Sequence, residues 1–129
     1  MAKKRVPREL WKEQPEEHDF PAAADYLSLV VPDSAVAPIV EALRAAVGMT
    51  RKAKDLMRAS GLPLLPADDV EVAKELKRVK KGELLSPVLL VRGRPPGAAL
   101  IVADGYHRIC ASYLLRDDAD IPCRIAELP

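Results

Sequence analysis

At 129 residues, 49% of them hydrophobic and 30% charged, the chain has the mixture of an ordinary globular protein and enough length for one core without metals or disulfides. A net charge of +1 excludes a globally basic nucleic-acid binder, and one Trp, one Phe and three Tyr leave little for the stacking platforms that hold single strands. No apolar run reaches the roughly 18 residues of a membrane span, and the Lys3-Lys4-Arg5 start leads into no apolar signal segment, so no membrane partner is expected and the cytoplasm is the expected compartment.

Residues 1–20 mix charge and proline with few aliphatics and read as an arm, with one domain over 21–129. Within the arm, Glu16-Glu17-His18-Asp19 reads as a surface charge cluster and not a metal site, with His18 able to fold over the domain. Pro21 to Val31 reads as a helical turn running into a strand. After Pro32-Asp33-Ser34, the residues Val36, Ile39, Val40, Leu43 and Val47 recur at helical spacing, and Gly48 is the expected stop.

A second helix is expected after Thr50, with Ala53, Leu56 and Met57 inward, Arg51, Lys54 and Arg58 outward, and Gly61 and Pro63 at its end. Asp68 or Asp69 caps a third, in which Val72, Leu76 and Val79 face inward and Lys74, Lys77, Arg78 and Lys81 outward. The two basic stripes offer an alternative function, a nucleic-acid (DNA) or protein-binding module without catalysis, although such stripes are usually solvated faces.

From Gly82 the texture changes to strands. Leu84 to Val91 and Ala98 to Ala103, joined by a Gly- and Pro-rich loop, read as a hairpin in which Pro87 marks an edge strand or a strand start. A helix from Tyr106 to Leu115, an Asp-rich turn and a strand from Ile121 to Ile125 complete a mixed α/β pattern: a small mixed sheet with helices packed around it. Cys110 and Cys123 read as buried, unpaired thiols. The Asp117-Asp118-Ala119-Asp120 turn lacks the Gly and the distant Glu of a calcium loop, so no metal ligands are assigned.

The turn Asp104-Gly105-Tyr106-His107-Arg108 carries the chemistry. A helix start presents unpaired N–H groups and the positive end of its dipole, and a glycine before it lets an anion approach the backbone. Arg108 is then a bidentate phosphate clamp, His107 a further donor, and Ser112, one turn on, an extension of the polar edge. Lys54 is an additional phosphate ligand, and Asp104 is the nearest carboxylate for catalysis or for holding Mg, with Asp68 and Asp69 second. The bland reading stands beside this: Asp104 a cap, Gly105 a turn residue, His107 a packed ring and Arg108 a surface charge.

The stretch from Leu84 through Leu100-Ile101-Val102-Ala103-Asp104-Gly105-Tyr106-His107-Arg108-Ile109-Cys110-Ala111 to Ile125 resembles the core of the ParB/sulfiredoxin fold, with Gly105, Arg108 and Ala111 in register with its Gly-x-x-Arg-x-x-Ala box. The resemblance covers about the last half of the chain. It implies a stand-alone nucleotide-binding domain in which Gly105, His107 and Arg108 hold the phosphates of ATP, ADP or CTP, and it leaves the reaction open between phosphoryl transfer, hydrolysis and none. Tyr106 stands where sulfiredoxins carry their catalytic Cys, which argues against sulfinic-acid reduction.

Overall fold

The computed structural model describes residues 9–129; the part of the expected arm before Glu9 lies outside them. Six strands and five helices follow in the order β1 (Leu10–Trp11), α1 (Asp19–Val30), α2 (Asp33–Ala45), β2 (Met49–Lys52), α3 (Ala53–Ser60), α4 (Val70–Lys80), β3 (Leu84–Leu85), β4 (Val88–Arg92), β5 (Ile101–Asp104), α5 (Tyr106–Leu115) and β6 (Asp120–Glu127). The fold is mixed α/β, as expected.

The main sheet has the order β2-β6-β4-β5. β4 pairs antiparallel with β5 and parallel with β6, while β2 closes the far edge antiparallel to β6. β4 is the axis of the core, because Val88 to Val91 are all fully buried. Successive side chains of a strand point to opposite faces, so a continuous apolar run marks a strand covered on both sides. Leu89 and Val91 meet Phe20, Ala23, Leu27, Ile39 and Leu43 from α1 and α2. Val88 and Leu90 meet Ala53, Leu56 and Ile109 from α3 and α5. α4 packs outside α5 through Val72 against Cys110 and Ala111. Each fully buried leucine contributes about 1.5–3 kcal/mol, and Leu89 and Leu90 of this strand are both fully buried.

Three expectations give way and a fourth is narrowed. Pro21 to Val31 is not a turn entering a strand but lies almost wholly in α1. Phe20, Ala23 and Leu27 recur at helical spacing, and Pro21 falls in the first turn, where its missing N–H leaves no gap. The apolar Leu29 and Val30 that suggested a strand are exposed. The described part of the arm is built into the fold: Leu10 and Trp11 pair parallel with Leu84 and Leu85, Trp11 packs on the core face shared by α3 and α5, and Asp19 and Phe20 are buried. α2 ends at Ala45, before Gly48, and the residues after it form the unanticipated β2, which takes Arg51 off the α3 face. Pro87 precedes an interior strand, so of its two readings the strand start holds.

Candidate functional site

β5 ends at Asp104, and the chain turns through Gly105 into α5. Gly105 has φ +109°, a region that L side chains rarely adopt, and a Cβ there would lie 2.4 Å from Val88 Cγ1 and 2.9 Å from Arg108 Nη2. Glycine is therefore required both by conformation and by space. No side chain caps the start of α5, and its first turn holds no acidic residue, so its leading N–H groups keep their capacity for an outside acceptor.

Arg108 turns inward across Gly105, where its Nη2 donates to Asp104 Oδ2 at 2.7 Å. The two side chains are 14% and 19% exposed, so the pair is largely shielded from water. Arg108 Nε is buried with no acceptor, which leaves the guanidinium with unused donor capacity. Burial pushes the Asp104 carboxyl above its ordinary pKa, the charge and hydrogen bond of Arg108 pull it back, and Asp19 adds a smaller upward push that His18 opposes. The expected surface cluster thus reaches the turn from the other side. Asp19, expected at the surface, is buried and accepts from the Glu16 N–H at 2.9 Å, whereas His18 stays exposed beside Glu16 and Asp19. Among the described residues no group of three His, Cys, Asp or Glu side chains is placed to hold a metal ion.

A cleft of about 390 Å³ opens on this turn, lined by Tyr26 from α1, Leu62 from the α3–α4 connector, and the run from Val102 to His107. The Tyr106 hydroxyl donates to the Pro63 carbonyl, fixing its ring as a wall. The His107 ring continues that wall, 5.3 Å from Tyr106 and tilted by 39°. Cys110, one turn further, is fully buried, and burial raises its thiol pKa, so it is a core residue and no nucleophile. A larger cleft of about 530 Å³ lies between the α1–α2 junction and Leu128, but Arg94 is its only charged lining side chain among the described residues.

The structure brings Asp104, Gly105, His107 and Arg108 together and separates two other expected ligands from them. Ser112 is fully buried and its hydroxyl has no partner; the i+4 spacing from Arg108 places it deeper in the core rather than along the cleft. The Lys54 N–H donates to the Asp117 carbonyl, past the C-terminal end of α5, and its ammonium pairs with Asp55. Ten helical residues, about 15 Å, separate it from Gly105. Asp69 caps α4. The basic stripes are partly neutralised within the chain: Lys54 pairs with Asp55, Lys74 with Glu71 and Arg78 with Glu75, as solvated faces are.

Tyr26 and Leu62 were not legible as site residues, because they reach the cleft from elements far from the turn in sequence. No helix among the described residues is long and apolar enough to cross a membrane. A scan of family models, a search of curated proteins and a search of solved structures each find no match to the chain.

Proposed function

We propose that the chain binds the phosphate of a nucleotide, with ATP, ADP and CTP as the first ligands to test, or of another phosphorylated small molecule, at the start of α5. The observation that carries this reading is the uncapped helix start at Gly105 facing a cleft large enough for a small molecule. Backbone N–H groups and the helix dipole attract the anion, His107 lines its approach, and Arg108, which stands behind the cleft wall rather than in it, adds positive charge from across Gly105. The likeness of Gly105, Arg108 and Ala111 to the ParB/sulfiredoxin box agrees with this assignment.

Catalysis is a further step. Phosphoryl transfer or hydrolysis would require Asp104, whose Oδ2 accepts from Arg108, to hold a magnesium ion through its other oxygen or after parting from Arg108. The two buried free thiols, Cys110 and Cys123, accord with a reducing cytoplasm.

Binding is tested by thermal shift and equilibrium titration with ATP, ADP, CTP and GTP, each with and without magnesium. Arg108→Ala is expected to weaken the preferred nucleotide at least tenfold, roughly the loss of one charge-assisted hydrogen bond or more. His107→Ala, at a half-buried position, is expected to weaken it about 2- to 10-fold. The double variant Lys74→Ala, Lys77→Ala is expected to bind as the parent does. Unchanged affinity in a folded Arg108→Ala protein rejects the site; loss confined to the lysine variant transfers binding to the basic face of α4.

A further inference from the structure

The cleft holds more than a phosphate needs. Its surface away from the helix start is Leu62, Val102, Ala103 and the rings of Tyr26 and Tyr106, and apolar atoms and ring faces give an anion nothing. Its volume of about 390 Å³ lies within the range of roughly 300–1,000 Å³ typical of small-molecule sites, well beyond what one phosphate fills. Tyr26 is the informative wall. Its neighbours Ala23 and Leu27 are fully buried in the core, while Tyr26, on the outer side of α1, is 41% exposed. Tyr106, by contrast, is tied to the Pro63 carbonyl and packed against the Val72 and Cys110 cluster, so its ring is committed to the fold.

We infer that the ligand carries a planar ring and that Tyr26 seats it, which makes Tyr26 the specificity-determining residue of the site. The inference rests on the phosphate reading and deepens it: a nucleoside phosphate sets its charged end on the start of α5 and its base against the Tyr26 ring. An aromatic side chain is suited to this because every base has a π-face, and stacking excludes water from both surfaces. Discrimination between a nucleotide and a bare polyphosphate then comes from α1, and the charge is read by α5.

The test is titration of the parent protein, Tyr26→Ala and Tyr26→Phe with ATP, CTP and inorganic tripolyphosphate. The parent is expected to bind at least one nucleotide more tightly than tripolyphosphate. Tyr26→Ala is expected to weaken that nucleotide about 5- to 100-fold, the usual range for loss of one base stack, and to leave tripolyphosphate affinity unchanged; Tyr26→Phe retains nucleotide affinity. The exposure of Tyr26 makes unfolding of these variants unexpected, and melting without ligand verifies it. Equal losses for nucleotide and tripolyphosphate in Tyr26→Ala, or no loss for either, overturn the ring seat. So does a parent protein that binds tripolyphosphate as tightly as both nucleotides, a result that leaves the phosphate seat standing. Failure of all three probes to bind overturns the phosphate reading and this inference with it.

Discussion

Two helix starts in this molecule treat the same problem in opposite ways. At α4 the Asp69 carboxylate accepts from the N–H groups of Glu71 at 3.2 Å and Val72 at 3.1 Å, and Glu71 adds negative charge to the first turn. That helix needs nothing from outside. At α5 the N-cap is Gly105, nothing caps the turn, and Asp104, one residue earlier, gives its carboxylate to Arg108 instead of to the helix. A side-chain cap contributes about 1 kcal/mol; α5 goes without one, as α1, α2 and α3 do, and what sets α5 apart is that its start lines the cleft between Tyr26 and His107. The difference separates two jobs that sequence patterns confuse, since both starts offer an Asp next to a helix: one carboxylate closes the backbone, the other leaves it open.

The strongest way to break the comparison is at Gly105. Gly105→Ala is expected to destabilise the fold by about 2–4 kcal/mol, because the alanine carries the strain of φ +109° and forces its Cβ onto Val88. Urea denaturation measures this. Repeating it in a Val88→Ala background sharpens the point: the contact with Val88 Cγ1 at 2.4 Å is relieved there, while those with Val88 Cβ and Arg108 Nη2 and the backbone strain are not, so the two substitutions are expected to couple. Strict additivity would mean that the Val88 Cγ1 contact has no part in requiring glycine at this turn.

Much of this was legible from sequence where one physical signal dominated. An apolar strand within Leu84–Val91, a cap at Asp68 or Asp69 and the turn from Asp104 into α5 emerged because an apolar run, a carboxylate before an apolar period and a glycine between strand and helix are strong local signals, and the structure then chose Asp69 as the cap and the sheet interior for Val88–Val91. Failures occurred where tertiary context decided. Leu29 and Val30 look like strand residues, yet they are exposed on a helix whose inward face is set by Phe20, Ala23 and Leu27. Met49–Lys52 is exposed along most of its length and is a strand because β6 lies beside it, with Met49 opposite Cys123 and Arg51 opposite Ile121. Within the site, spacing along α5 placed Arg108 and Ser112 on one face but could not say that this face is buried. Nor could it bring Tyr26 to the cleft, since that depends on how α1 packs on β5.

A smaller effect is expected at the other helix start. Asp69→Ala leaves two N–H groups of α4 to water and is expected to lower stability by about 1 kcal/mol, read as a shift in the urea midpoint, while nucleotide affinity stays that of the parent. A parallel loss of affinity would show that the α4 start supports the ligand after all, and the contrast between the two helices would lose its functional meaning.

The smallest effect lies in the pH dependence of Asp104. Burial raises its carboxyl pKa and Arg108 offsets only part of that rise, so the folded chain holds this proton more firmly than the unfolded chain does. The sign follows from linkage: the stability that Asp104 contributes is fully present below the ordinary aspartate pKa and is lost as pH rises through the raised one. Asp104→Asn keeps an oxygen to accept from Arg108 and removes the titration. The stability of the parent relative to this variant is therefore expected to fall across that window and then level off, which urea midpoints taken from about pH 3.5 to 7 can follow. A difference that instead grows with pH would mean that Arg108 more than offsets burial. The Asp104–Arg108 pair would then be a net brace for the turn, and drawing Arg108 toward a phosphate would come at the expense of the fold.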